Sequence, residues 1–160
     1  MTDTPIQLML SDVDGTLVDS DKQLTPATIA AVQRLRAAGV AFAVTSGRPP
    51  RGMSMLVEPL GLTTPLAGFN GGLIVDPSMR PIEELSLPGE LVGPIIESLR
   101  ASAMSVWAFQ GSRWLVPAAD APHVEKEVRA VRYDPEVAPD LDGVVVAAAD
   151  GTAPVTKLVG

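Results

Sequence analysis

Residues 8–16 read Leu8-Met9-Leu10-Ser11-Asp12-Val13-Asp14-Gly15-Thr16, with Ile6 just before them. The apolar run passes without a break into two aspartates one residue apart, and then into Gly-Thr. A short, unpunctuated apolar run predicts a buried strand of a parallel sheet. In open α/β sheets the ligand site lies just beyond the carboxyl ends of the strands, which is where Asp12 and Asp14 stand. Gly15 permits a sharp turn and lets backbone amides approach a ligand.

Side chains two apart on a strand point the same way, so both carboxylates are expected to face one pocket. One of them can attack phosphorus as a nucleophile and form an aspartyl-phosphate. Its neighbour, when protonated, can give a proton to the leaving alcohol and later take one from water. Two close carboxylates resist ionising together, which predicts that one pKa is raised. The pair is also a candidate magnesium site, because Mg²⁺ prefers hard oxygen ligands and keeps several waters. The plainer alternative is a polar strand end with an ordinary Asp-Gly turn. The apolar run, the second Asp and the Thr together favour the functional reading.

Further along, Thr25 is placed as a helix N-cap with Pro26 at the first helical position. Ile29, Val32, Leu35 and Ala38 form a helical stripe that Gly39 ends. Val40 to Val44 predicts a second strand, closed by Thr45-Ser46-Gly47-Arg48-Pro49. Strand, helix, strand implies a right-handed parallel crossover, which brings Ser46 and Gly47 to the same sheet edge as Asp12. A hydroxyl and free amides there can hold a phosphate oxygen, and Arg48 can add a charged fork. The alternative is a capping turn with Arg48 in solvent. A short helix through Met53, Leu56 and Val57 follows, with the methionines as core filler. Thr64 to Phe69 predicts a third strand that presents Asn70-Gly71-Gly72, and Asn70 is equally readable as a site residue or as a turn residue.

From Leu73 the texture changes. Leu73–Val75 and Ile82–Leu87 predict two strands around a turn at Asp76-Pro77. Leu91 to Leu99 predicts a helix that begins or kinks at Pro94. Val106–Phe109 and Arg113–Val116 predict a hairpin around Gln110-Gly111-Ser112. Val124, Val128 and Val131 mark another helix, and Gly143–Ala148 and Val155–Val159 predict two more strands. Strand pairs separated by helices imply a small α+β unit. His123 reads as a surface residue, and Trp107 and Trp114 as packing residues of one sheet.

Three of these stretches carry a resemblance. Asp12-Val13-Asp14-Gly15-Thr16-Leu17 is similar to the first motif of the haloacid dehalogenase-like (HAD) phosphohydrolases. Thr45-Ser46-Gly47-Arg48-Pro49 and Phe69-Asn70-Gly71-Gly72 are similar to signatures of the Cof-type subfamily, in that family's order and spacing. The resemblance implies an α/β fold: a HAD-like Rossmannoid parallel-sheet core, incomplete at three strands, over residues 1–81. It implies a type IIB α+β cap over residues 82–160 and a small hairpin after the first motif. It implies a magnesium-dependent phosphomonoester hydrolase acting on small phosphorylated metabolites such as sugar phosphates. Asp12 is then nucleophile and metal ligand, and Asp14 is general acid/base and metal ligand through its carbonyl. Ser46, Gly47, Arg48, Asn70 and Gly71 bind phosphate or substrate. The family also uses a lysine and a Gly-Asp loop beyond the cap, which find no match here; Asp150-Gly151-Thr152 lacks a paired aspartate. The expectation is a truncated chain with weak or no activity, whose first strand lies at an exposed sheet edge. A non-catalytic remnant is the first alternative. A receiver-like signalling domain is the second, but it needs a phospho-accepting Asp where Phe69-Asn70 stand.

Composition narrows the classes. The 160 residues are 46% hydrophobic, enough for a core, and only 4% aromatic, so Ala, Val, Leu and Met must build it. A net charge of −7 argues against a general nucleic-acid binder and leaves an anionic substrate dependent on local positive groups. There is no cysteine, hence no disulfide or thiolate metal site. No signal-like segment or membrane-length apolar run is present, so the expectation is a cytoplasmic protein without membrane contact.

Overall fold

A computed structural model describes residues 5–160. The chain divides into two compact units, residues 1–82 and 83–160.

The first unit opens with β1 (Leu8–Asp12), followed by α1 (Pro26–Ala37) and β2 (Ala41–Thr45). The Thr25 side chain accepts the Thr28 amide at 3.1 Å and Pro26 takes the first helical position, so α1 starts where its caps dictate. Arg34 and Arg36 in the last turn suit the negative end of the helix dipole. Gly39, at φ +79°, then turns the chain into β2. A 3-10 helix (Pro50–Leu56) runs into α2 (Val57–Leu60), and Gly61 stops it in the left-handed region. Here Met53, Leu56 and Leu60 are fully buried, as core filler should be. β3 (Leu66–Gly68) is shorter than the expected Thr64–Phe69 strand, because Phe69 and Asn70 both turn to positive φ. β4 (Leu73–Val75) and β5 (Pro81–Glu84) complete a sheet of order β1-β2-β3-β4-β5. β1, β2 and β3 run parallel and β4 is antiparallel to β3.

One expectation is overturned and another met at β1. The strand is not buried: Leu8 is 55% exposed and Leu10 60% exposed, and Ser11 is its one buried residue. The reason is position, since β1 has β2 on one side and lies at the edge of the sheet. An apolar run reports suitability for burial, whereas the neighbours on each side decide whether burial happens.

The second unit places α3 (Gly89–Ala101) before the hairpin β6 (Trp107–Gln110) and β7 (Arg113–Val116). There follow α4 (Val124–Val131), β8 (Glu136–Val137), α5 (Asp142–Ala149) and β9 (Lys157–Val159), and the sheet order is β8-β7-β6-β9. Ala108 and Leu115 pair in register and join Val92, Ile96, Val144 and Ala148 of α3 and α5 in the core. The opposite face carries Phe109 paired with Trp114, stacked at 6.1 Å, and Trp107 edge-on to Trp114 at 5.3 Å. Both tryptophans are thus packing residues of one sheet. His123 is exposed at the start of α4.

Residues 143–148 correct the sequence reading, for they form most of α5 and no strand. Three consecutive valines argue for strand by propensity. Yet Val144 and Ala148, one helical turn apart, are buried while Val146 is 63% exposed. Close packing on α3 selects the helix: a Cβ on Gly89 would lie 2.1 Å from the Ala148 carbonyl oxygen. Tertiary contact outweighs propensity here.

Candidate active site

The parallel register aligns the ends of three strands. Asp12 of β1 is level with Thr45 of β2, and Thr45 with Ala67 of β3. Everything just beyond these residues therefore shares one sheet edge: Val13 to Thr16, Ser46 to Arg48, and Gly68 to Gly71.

After β1 the chain wraps round a single carbonyl. Val13 O accepts the amides of Thr16 (3.4 Å), Leu17 (3.0 Å) and Val18 (3.2 Å). Gly15 sits at φ +78°, a conformation that a Cβ would oppose. Val18 then bridges Leu24 in antiparallel fashion, which makes the small hairpin expected after the first motif. At its tip Asp19 Oδ1 accepts the amides of Asp21 and Gln23, at 3.0 and 2.9 Å.

The second and third stretches are zipped together. Ser46 donates its amide to Ala67 O (3.0 Å), Asn70 donates to Ser46 O (2.8 Å), and Phe69 donates to Arg48 O (2.9 Å). The Ser46 hydroxyl is buried and accepts the Arg48 amide at 3.2 Å. The Asn70 side chain lies over Gly47, where a Cβ would stand 3.6 Å from its Oδ1. Asn70 adopts φ +57° and Gly71 φ +98°, so this turn is left-handed at both residues. Gly68 packs directly on the Pro50 ring.

Asp14 is the meeting point. Its Oδ2 accepts Arg48 Nε at 2.7 Å, and its Oδ1 accepts Arg48 Nη2 at 2.8 Å and Lys22 Nζ at 2.7 Å. The Arg48 hydrogen bonds foremost, with Lys22 adding to them against the opposing cost of partial burial, draw the carboxyl from 3.8 down to about 2. The expected rise of one pKa is therefore corrected for Asp14, because two cations outweigh any neighbouring carboxylate. Arg48 is not in solvent either: it is 4% exposed and also donates from Nη1 to Gly52 O at 3.3 Å. Asp12 is exposed at the tip of β1, and among the described residues its carboxylate makes no hydrogen bond or ion pair.

Lys22 is the member that sequence reading missed. It follows Asp14 by eight positions, and only the hairpin brings it back. The one available signal was its place in a polar turn directly after the motif.

The chain matches the model of haloacid dehalogenase-like hydrolases over residues 9–143. It belongs to that family. A Bacillus subtilis 5-amino-6-(5-phospho-D-ribitylamino)uracil phosphatase is 37% identical over 75 residues, covering 47% of this chain and 28% of that protein. An HMP-PP phosphatase of Yersinia pestis is 28% identical over 114 residues, 71% of this chain and 42% of that protein. A solved haloacid dehalogenase-like hydrolase from Bacteroides thetaiotaomicron superposes with a TM-score of 0.73 at 25% identity, covering 85% of this chain and 53% of that one. The chain thus spans between about a quarter and about half of the length of these relatives. Membership of this family leaves the receiver-like alternative without support, and no acidic residue stands at the end of β3, where Gly68, Phe69 and Asn70 follow one another.

Magnesium is the ion that phosphatases of this family generally use. Among the described residues no three acidic or histidine side chains cluster as a metal site. Both Asp14 carboxylate oxygens are taken by cations, so the residues that would hold such an ion are Asp12 through its carboxylate and Asp14 through its main-chain carbonyl. Hard oxygen donors of this kind fit magnesium, which is commonly held by one or two carboxylates with water and substrate phosphate completing the shell.

Proposed function

We propose that this chain carries the nucleophile-bearing part of a phosphomonoester hydrolase that acts on small phosphorylated metabolites, sugar phosphates among them. The observation that carries this reading is Asp12, an exposed carboxylate ending β1 and without a partner among the described residues, on the same sheet edge as Ser46 and Asn70 in a chain of this family.

Asp12 attacks the phosphorus and forms an aspartyl-phosphate, and the ester bond to the alcohol breaks. Asp14 supplies the proton to the departing alkoxide and takes one from the water that later attacks the acyl phosphate. Asp14 is ionised while Arg48 and Lys22 hold it, so to act as the acid it first loosens that grip and takes up a proton from solvent, which it then passes to the alkoxide. The Ser46 hydroxyl, which still has its proton to donate, orients a phosphoryl oxygen beside Gly47, and Arg48, Asn70 and Gly71 bound the substrate. Bound magnesium would neutralise charge on the phosphoryl group. Residues 82–160 are read as the family's type IIB cap, whose role is to set specificity. The relatives act on a phosphoribityl-aminouracil and on HMP-PP by their names, which supports a small phosphorylated substrate without choosing one.

Phosphate release from p-nitrophenyl phosphate, with and without Mg²⁺, tests the activity. Fluorine NMR of the beryllium fluoride adduct locates the reacting aspartate even where turnover is slow. Release that needs Mg²⁺, with adduct and release both lost in Asp12→Asn, is expected. An adduct that survives Asp12→Asn would overturn the assignment.

A further inference from the structure

Two cations meet on one carboxylate oxygen. Lys22 Nζ and Arg48 Nη2 lie 2.7 and 2.8 Å from Asp14 Oδ1. A chain of net charge −7 thus sets two positive groups on one negative group at the edge where its substrate is expected. The two cations are held differently. Arg48 is buried and pinned by Gly52 O and by its own amide on Ser46 Oγ. Lys22 and Asp14 are each 35% exposed, so solvent and ligand reach the cluster from their side.

The loop is shaped to deliver Lys22. Its backbone adopts φ +59°, which is unfavourable for a residue with a Cβ. The turn is fixed by the Lys22 amide on Asp19 O at 3.1 Å and by the Asp19 side chain on the Asp21 and Gln23 amides. A guanidinium fork takes carboxylate or phosphate oxygens in the same geometry. A phosphate dianion offers more charge and a third oxygen, so it can satisfy the fork and the ammonium together.

We propose that Lys22 and Arg48 form a two-cation seat for the phosphate of the substrate, in which the Asp14 carboxylate is the resting occupant and Lys22 contacts the phosphate once Asp14 moves aside. The seat rests on the phosphatase reading for the identity of its ligand, and not for its geometry. It gives Lys22, outside all three recognised stretches, a direct role in binding.

The test is binding of inorganic phosphate to the whole 160-residue chain, without metal and at fixed ionic strength, by equilibrium dialysis. Lys22→Met is expected to weaken binding about tenfold, the scale of one charge-assisted hydrogen bond. Lys22→Arg should restore it to within about threefold, since the charge is kept. Asp14→Asn should tighten binding several-fold by removing the competitor, well beyond the effect of Asp21→Asn, a neutralisation in the same loop. Circular dichroism melts identify any variant that fails to fold, in which case Lys22→Gln replaces Lys22→Met. Phosphate affinity unchanged in folded Lys22→Met, or Asp14→Asn binding no tighter than Asp21→Asn, overturns the seat. If this binding pattern holds while p-nitrophenyl phosphate is never hydrolysed, the seat stands and the hydrolase reading falls. If hydrolysis proceeds with KM and phosphate affinity indifferent to Lys22, the reverse is true.

Discussion

Arg48 grips Asp14 in a fork, with Nε 2.7 Å from Oδ2 and Nη2 2.8 Å from Oδ1, across 34 residues of chain. The fork ties the turn after β1 to the turn after β2. Arg48→Met would leave Asp14 to Lys22 alone and the Gly52 carbonyl without this donor. Charge-assisted hydrogen bonds contribute about 1.5–3 kcal/mol each, less where one partner is partly solvated as Asp14 is. A loss of roughly 1–3 kcal/mol in urea unfolding is expected. Arg48→Lys should recover less than half of it, because an ammonium cannot span both oxygens.

Asp14 also makes stability depend on acidity in a defined direction. Its carboxyl stands near 2 in the folded chain and at 3.8 as the ordinary value. The unfolded chain therefore binds more protons in that interval, and stability rises with pH there. The contribution is complete above about pH 5 and is lost as the pH falls through about 4 towards 2. Asp76 and Asp150 are lowered as well, through the Arg80 backbone amide and the Thr152 side chain respectively, and act with the same sign from exposed positions. Urea midpoints measured from neutral pH to about pH 2 should fall more steeply for the wild type than for Asp14→Asn. Parallel curves would show that Asp14 is not held as described.

Gly68 tests how tightly the third stretch is built. A Cβ there would lie 2.5 Å from Pro50 Cδ and 2.8 Å from Pro50 N, and Pro50 is buried. Backbone must shift, and overpacking of this kind costs about 1–3 kcal/mol. Gly68→Ala should lower the thermal midpoint and also weaken phosphate binding, since Phe69 and Asn70 carry the bonds to Arg48 and Ser46. Unchanged phosphate affinity in Gly68→Ala would detach that zipper from the site.

The exposed side of β1 predicts self-association. Ile6, Leu8, Met9 and Leu10 are exposed beside a sheet edge that no other strand of the described residues covers, an arrangement that templates pairing with other chains. Sedimentation at rising concentration should show association, and Leu10→Lys should shift it to higher concentration without lowering the thermal midpoint. A strictly monomeric wild type at high concentration contradicts this.

Much of this was legible along the chain. The cap at Thr25-Pro26, the stop at Gly61 and the hairpin around Gly111 follow from residues whose backbone or side-chain chemistry is local, and local rules read them correctly. The failures have a common cause. Val144-Val145-Val146 reads as strand until α3 packs against it, and Leu8-Met9-Leu10 reads as buried until the strand order leaves it at an edge. Propensity and hydrophobicity describe what a segment tolerates, and the neighbours that select among those options are distant in sequence.

The same division runs through the site. Order along the chain was enough to bring Asp12, Ser46 and Asn70 to one sheet edge, because strand alternation and right-handed crossovers leave few other arrangements. The ionisation of Asp14 was not available from order. It depends on which charges close to within 3 Å, and there folding set Arg48 and Lys22 against it, where the spacing of two aspartates had suggested mutual repulsion. Coulomb energy falls with distance through space, and distance through space is what the fold alone supplies.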